Sequence, residues 1–128
     1  MKRIHNYICE SMLSVQPEYI LVDLPNSTYK PPKLTNNYHP DIYYNHNNTL
    51  VIGEAKTVND IDNTHSRNQY ISYLQECQNF QGQAYLIVCS SWTMSIMFKN
   101  LLKYIKRLNN FKTTIIVLSE VGIPAQEV

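Results

Sequence analysis

Residues 83–90, Gln-Ala-Tyr-Leu-Ile-Val-Cys-Ser, form an unbroken apolar run of strand length. Such a run suits a central strand covered on both faces. Cover on both sides requires helices packed on a sheet, so the run restricts the chain to a layered α/β architecture. Two segments have the pattern to supply that cover. Residues 92–108 carry Met94, Met97, Phe98, Leu101, Ile105 and Leu108 as one stripe, the period of an amphipathic helix. Residues 62–80 place Tyr70, Leu74 and Cys77 on one side, behind N-cap candidates Asp62, Asn63 and Thr64.

The remaining elements follow the same logic. Ile4, Ile8 and Met12 recur every four residues, which predicts an opening helix over residues 3–13. Residues 19–24 read as a short strand. Residues 25–40 hold four of the six prolines with several Asn and Ser, a composition too broken for regular structure, and loops of that length are usually functional. Residues 41–44 and 49–57 are strand-like runs around Asn45-His46-Asn47-Asn48, a hairpin signal, and residues 113–119 form a last strand. The order α-β-β-β-α-β-α-β implies a mixed sheet that begins as an antiparallel meander and continues through helical crossovers. Trp92 and the Met stripe are read as core.

Composition narrows the function. The 128 residues are one domain's worth, so residues 1–128 are taken as a single domain. Eleven Lys and Arg against ten Asp and Glu leave a net charge of +1, which excludes a wholly basic nucleic-acid binder and confines any phosphate contact to a local patch. Cys9, Cys77 and Cys89 are odd in number and far apart, so neither a disulfide framework nor a zinc or iron-sulfur site is signalled. With no apolar stretch approaching the roughly 20 residues of a membrane span, the expectation is a soluble, cytoplasmic chain with no membrane partner.

The chemistry is concentrated in Val51-Ile52-Gly53-Glu54-Ala55-Lys56-Thr57, an apolar strand ending in two opposite charges. A turn symmetric about the His46–Asn47 bond pairs residues whose numbers sum to about 93. Asp41 then lies opposite Ile52, with Glu54 its diagonal neighbour. Side chains alternate faces along a strand, so Asp41, Glu54 and Lys56 share one face provided the loop is even. Two carboxylates so close repel unless a cation lies between them. Oxygen-only ligation favours Mg²⁺ or Mn²⁺, an ion that activates water and stabilises phosphoryl charge, with Lys56 to orient that water.

These residues resemble the PD-(D/E)XK nuclease superfamily. Pro40-Asp41 and Glu54-Ala55-Lys56 match its signature on the two strands of a hairpin, and Gln69 to Tyr73 resembles the Q-x-x-x-Y element that some members place on the next helix. The resemblance covers roughly residues 1–90 and extends to the α-β-β-β-α-β order. It implies a restriction-endonuclease-like core with a further helix and strand at the C-terminus, and a Mg²⁺- or Mn²⁺-dependent DNA endonuclease. Asp41 and Glu54 would be metal ligands, joined by the Ala55 backbone carbonyl. Lys56 would be the catalytic lysine, with Gln69 steadying the site. Glu10 is the one candidate for the acid that many members carry on the first helix. In size and in the spacing from Lys56 to Gln69 the chain is most similar to the virus-type replication-repair nucleases and Holliday junction resolvases. Tyr73, Arg67, His65, Lys30 and Lys33 are candidate substrate contacts, and cutting both strands of DNA would require a homodimer.

Plainer explanations stand beside these. Glu54 and Lys56 could be an exposed ion pair of little energetic weight, and Gln69 and Tyr73 a buried amide and a core tyrosine. Lys99, Lys103, Lys106 and Arg107 make the densest basic stripe, which by default is a solvated helix face. The whole chain could also be a non-catalytic nucleic-acid-binding or protein-interaction module on the same core.

Overall fold

A computed structural model describes residues 1–11, 13–121 and 124–128. The chain is an α/β fold around one six-stranded sheet, in the order β1-β2-β3-β4-β5-β6. The elements are α1 (Lys2–Glu10), β1 (Leu21–Val22), β2 (Ile42–His46), β3 (Thr49–Ala55), α2 (Thr64–Asn79), β4 (Gln83–Ser90), α3 (Ser95–Leu108), β5 (Thr114–Ser119) and β6 (Gln126–Glu127). β1, β2 and β3 pair antiparallel. β3, β4 and β5 pair parallel, and β6 closes the edge antiparallel to β5. The sheet is therefore mixed, as the alternation of elements predicts, with β6 an addition that two residues without an apolar pattern could not announce. Met12, expected on the α1 stripe, lies outside the described residues.

The central run behaves as its composition requires. β4 divides its buried side chains between two cores. Leu86 and Val88 join Leu50, Ile52, Tyr70, Tyr73 and Leu74 and the Phe98–Ile105 face of α3, whereas Ile87 and Cys89 join Ile4, Ile8 and Val51. The β3-α2-β4 and β4-α3-β5 crossovers thus cover one face, and α1 covers the other. Gly53 permits that second packing, because a Cβ there would lie 3.0 Å from Ile4 and 3.1 Å from Ile42.

Two expectations about packing change. Trp92, read as core, is 57% exposed, because residues 92–94 form a separate 3-10 turn ahead of α3 and the helical period begins only at Ser95. Met97 and Leu108 are also exposed. Met97 borders the Phe98–Leu101–Leu102–Ile105 stripe, and Leu108 is the last residue of the helix.

The hairpin register also differs from the expected one. The pairs run from Ile42↔Gly53 to His46↔Thr49, summing to 95 and not 93. Asn47 and Asn48 alone make the turn, both with positive φ (50° and 60°). Asn tolerates that region, and two left-handed residues give the turn whose twist matches the flanking strands. The slip is two residues, an even number, so the faces are unchanged and Asp41 moves from the diagonal to a place directly across from Glu54. Gly82 buttresses the turn. A Cβ there would meet the Asn48 carbonyl oxygen at 2.2 Å, and the neighbouring Gln83 N–H donates to that same oxygen.

Candidate metal centre

Glu54 occupies the carboxyl end of β3, on the face that carries Leu50 and Ile52, and is only 5% exposed. An ionised carboxylate is costly there unless partnered. Asp41, just before β2, fixes its own position by accepting the Ala55 N–H at Oδ2, 2.9 Å. Tyr73, one of the large wholly buried side chains, donates its hydroxyl to Glu54 Oε1 at 2.8 Å. Burial pushes the Glu54 carboxyl up to about 9, aided by hydrogen bonding with the Asp41 carboxyl and by that group's charge, against smaller opposing pulls from Tyr73 and Lys56. Burial and the neighbouring Asp41 thus favour the protonated form of Glu54, as expected where two carboxyls meet in a low-dielectric site.

Lys56 continues the chain one residue beyond β3. Its own N–H donates to the Cys89 carbonyl at 2.9 Å, which extends the parallel ladder and anchors the side chain. The ammonium donates to Gln69 Oε1 and lies 5.9 Å from the centre of the Tyr70 ring, within range of a cation–π attraction. Gln69 and Tyr73 are four apart on α2 and so share a face. One helix face thereby holds both Lys56 and Glu54. The position of α2 follows from its cap, where Asn63 accepts the Ser66 N–H at 2.8 Å, and from Tyr70, whose hydroxyl donates to the Ile61 carbonyl.

The structure thus gathers Asp41, Glu54, Ala55, Lys56, Gln69 and Tyr73 and leaves the other predicted residues outside. Glu10 is the last residue of α1 and is exposed. The first half of that helix reaches the end of β3 from the opposite face of the sheet, where Met1, Lys2, Arg3 and Asn6 line a hollow of about 370 Å³ with Ala55, Cys89 and Glu120. Among the described residues no three His, Cys, Asp or Glu side chains cluster as a metal site, so Glu10 does not complete the acidic pair. Tyr73, grouped at first with substrate contacts, is too buried to touch one and instead positions Glu54. Arg67 gives Nε and Nη2 to the Asp62 carboxylate at 2.6 and 3.2 Å. Lys30 faces Asp23 at 3.8 Å, Lys33 is exposed in the 25–40 loop, and His65 meets Tyr38 edge-on at 5.5 Å.

Sequence reasoning overlooked two aromatic groups. Tyr70, read only as a core position, also presents its ring to Lys56. Tyr38 meets Tyr73 edge-on, 6.5 Å between ring centres, because the end of the 25–40 loop docks on α2. The Leu34 N–H donates to the Tyr38 carbonyl, Ser72 Oγ donates to the Thr35 carbonyl, and Thr35 Oγ1 to Glu76. The only sequence signal for Tyr38 was its place two residues before Pro40-Asp41.

The donor set fits a hard divalent ion. Two facing carboxyls and a nearby peptide carbonyl offer only oxygen, and Mg²⁺ commonly takes one or two carboxylates and fills its remaining positions with water and phosphate oxygens. The site also lies at the carboxyl ends of parallel strands, where open α/β sheets place their ligands. Comparison of this chain with protein-family models, with curated proteins and with solved structures finds no match. Among the described residues no helix is long and apolar enough to cross a membrane.

Proposed function

We propose that this protein is a metal-dependent DNA nuclease of the PD-(D/E)XK kind. The observation that carries the reading is the meeting of Asp41 and Glu54, with Asp41 close enough to help raise the Glu54 carboxyl, beside a lysine held by Gln69. Charging Glu54 beside Asp41 in this buried setting is costly, and a divalent ion held between the two carboxyls would offset that cost. Such an ion, Mg²⁺ or Mn²⁺ on the Asp41, Glu54 and Ala55 oxygens, would supply an activated water and neutralise phosphoryl charge.

The chain's own groups do the rest. Asp41 is fixed by the Ala55 N–H and Glu54 by the Tyr73 hydroxyl, so neither carboxyl must reorganise when substrate arrives. Lys56, steered by Gln69 and Tyr70, presents its ammonium to the attacking water or to the phosphoryl oxygen where negative charge develops. The family likeness implies in-line hydrolysis leaving a 5′-phosphate and a 3′-hydroxyl, and a homodimer where both strands are cut.

The test is incubation with single-stranded, duplex and branched DNA, with Mg²⁺, Mn²⁺ or EDTA. Divalent-dependent cleavage that disappears in Glu54→Ala and Lys56→Ala is the expected result; cleavage that survives both changes would overturn the reading. A non-catalytic nucleic-acid-binding module on the same fold is the second reading, favoured because no third carboxylate joins the acidic pair among the described residues. Nucleic-acid binding without turnover on any substrate selects it.

A further inference from the structure

The basic stripe of α3 lies away from the acidic pair. Lys99, Lys103, Lys106 and Arg107, with Lys112 and Phe111 from the following loop, border a concavity of about 630 Å³ against Glu127 and Val128. It sits at the β6 edge of the sheet, three strands across from β3, or about 14 Å at ~4.8 Å per strand. Five of the chain's eleven cations and one of its ten acids meet there, leaving six cations against nine acids for everything else. The near-neutral net charge therefore conceals an uneven distribution, with a local excess of positive charge around this hollow.

Helix stability explains only part of the cluster. Lys106 and Arg107 lie in the last turn of α3, where cations complement the helix dipole, and Lys106 also donates to the Val128 backbone oxygen at 2.9 Å. Lys99, Lys103 and Lys112 are not in that turn, and among the described residues no Asp or Glu side chain forms an ion pair with any of the five. Mutual repulsion of unpaired cations around a concave surface is unfavourable unless an anion enters it. The geometry also indicates what kind of anion. Lys99 to Arg107 spans eight residues, about 12 Å of helix, so the charges form a line and do not converge on one point. A single phosphate would meet one or two of them. A strand of nucleic acid, with a phosphate every ~3.4 Å of axial rise, presents three or four over that length. The half-buried Phe111 adds an aromatic surface at the hollow, the companion that stacked bases use.

We propose that this concavity is a second nucleic-acid site, one that grips the phosphate backbone of a strand without regard to sequence and apart from the Asp41–Glu54 centre. The choice of nucleic acid as the polyanion rests on the nuclease reading; the anion site itself does not. Binding is therefore measured in EDTA, where no turnover is needed, by fluorescence anisotropy of a labelled 30-nucleotide single strand and of the matching duplex. Inorganic phosphate at equal ionic strength and vesicles of anionic phospholipid serve as comparison ligands.

Lys103→Glu/Arg107→Glu changes two exposed residues, so circular dichroism should be unaltered. Affinity for DNA should fall roughly tenfold or more at low salt, and the slope of log affinity against log salt should become shallower by about two. Equal affinity of the double variant and the wild type, no DNA binding by either, or preference for phosphate or vesicles over DNA would each overturn the proposal. Absence of divalent-dependent cleavage by the wild type, with its DNA binding intact, would overturn the nuclease reading alone.

Discussion

At the carboxyl end of β3 charge is buried and shared: Glu54 is 5% exposed, bonded to Tyr73 and set beside Asp41, and Lys56 is held by Gln69. Along α3 charge is mostly solvated: Lys103 and Arg107 are exposed, and no acid pairs with them among the described residues. The two regions hold their charges by different means. A buried carboxyl depends on each neighbour, so removing one partner changes protonation, stability and reactivity together. A solvated lysine contributes chiefly to the field, and its removal changes association more than folding.

The largest test of that contrast is catalytic. Glu54→Gln keeps the shape of the neutral carboxyl but removes the ligand charge, so the fold should persist while divalent-dependent cleavage drops by on the order of 10³-fold, the scale seen when one electrostatic group of an active site is lost. Lys103→Gln in the same assay, on a substrate too short to reach α3, should cleave at the wild-type rate. Comparable losses in the two variants would erase the distinction between the regions.

Next in size is the pH dependence of stability in EDTA. Glu54 titrates near 9 in the folded chain and near 4.5 when unfolded, so between those values the folded state carries a proton that the unfolded state has released. Stability attributable to Glu54 is thus fully present below pH 4.5 and is lost as pH rises through 9, at no more than about 1.4 kcal/mol per pH unit. Urea midpoints measured from pH 5 to 9 should fall for the wild type and flatten for Glu54→Gln. Identical profiles would place the titration elsewhere.

Tyr73→Phe should have a smaller effect. Removing the hydroxyl leaves one Glu54 oxygen without its donor, at a cost of about 1–3 kcal/mol in chemical denaturation. Because that bond lowers the Glu54 value, its loss should shift the pH profile further upward. Smallest of all, Lys103→Ala should change stability by less than about 0.5 kcal/mol, while still reducing the salt slope of DNA binding by about one.

Much of the site was legible in the sequence because it depends on parity and period. Asp41, Glu54 and Lys56 share a face for any even hairpin loop, which is why a register two residues off still brought them together. Gln69 and Tyr73 share a face for any helix. Glu10 had only its position in the chain as support, and position does not tell which end of α1 approaches Ala55. Tyr38 was invisible for a related reason: a proline-rich loop has no period from which to infer what it packs against.

Local pattern, then, determined the α/β class, the mixed sheet, the bounds of β4 and the convergence of the acidic pair with Lys56, since each follows from backbone geometry repeated every two or every 3.6 residues. Only tertiary structure decided that Asp41 faces Glu54 directly, that Tyr73 is a buried partner and not a surface contact, that Trp92 is exposed, and that the α3 cations border a hollow at the β6 edge. Those outcomes depend on contacts between residues distant in sequence, where the burial of one side chain is set by the arrival of another.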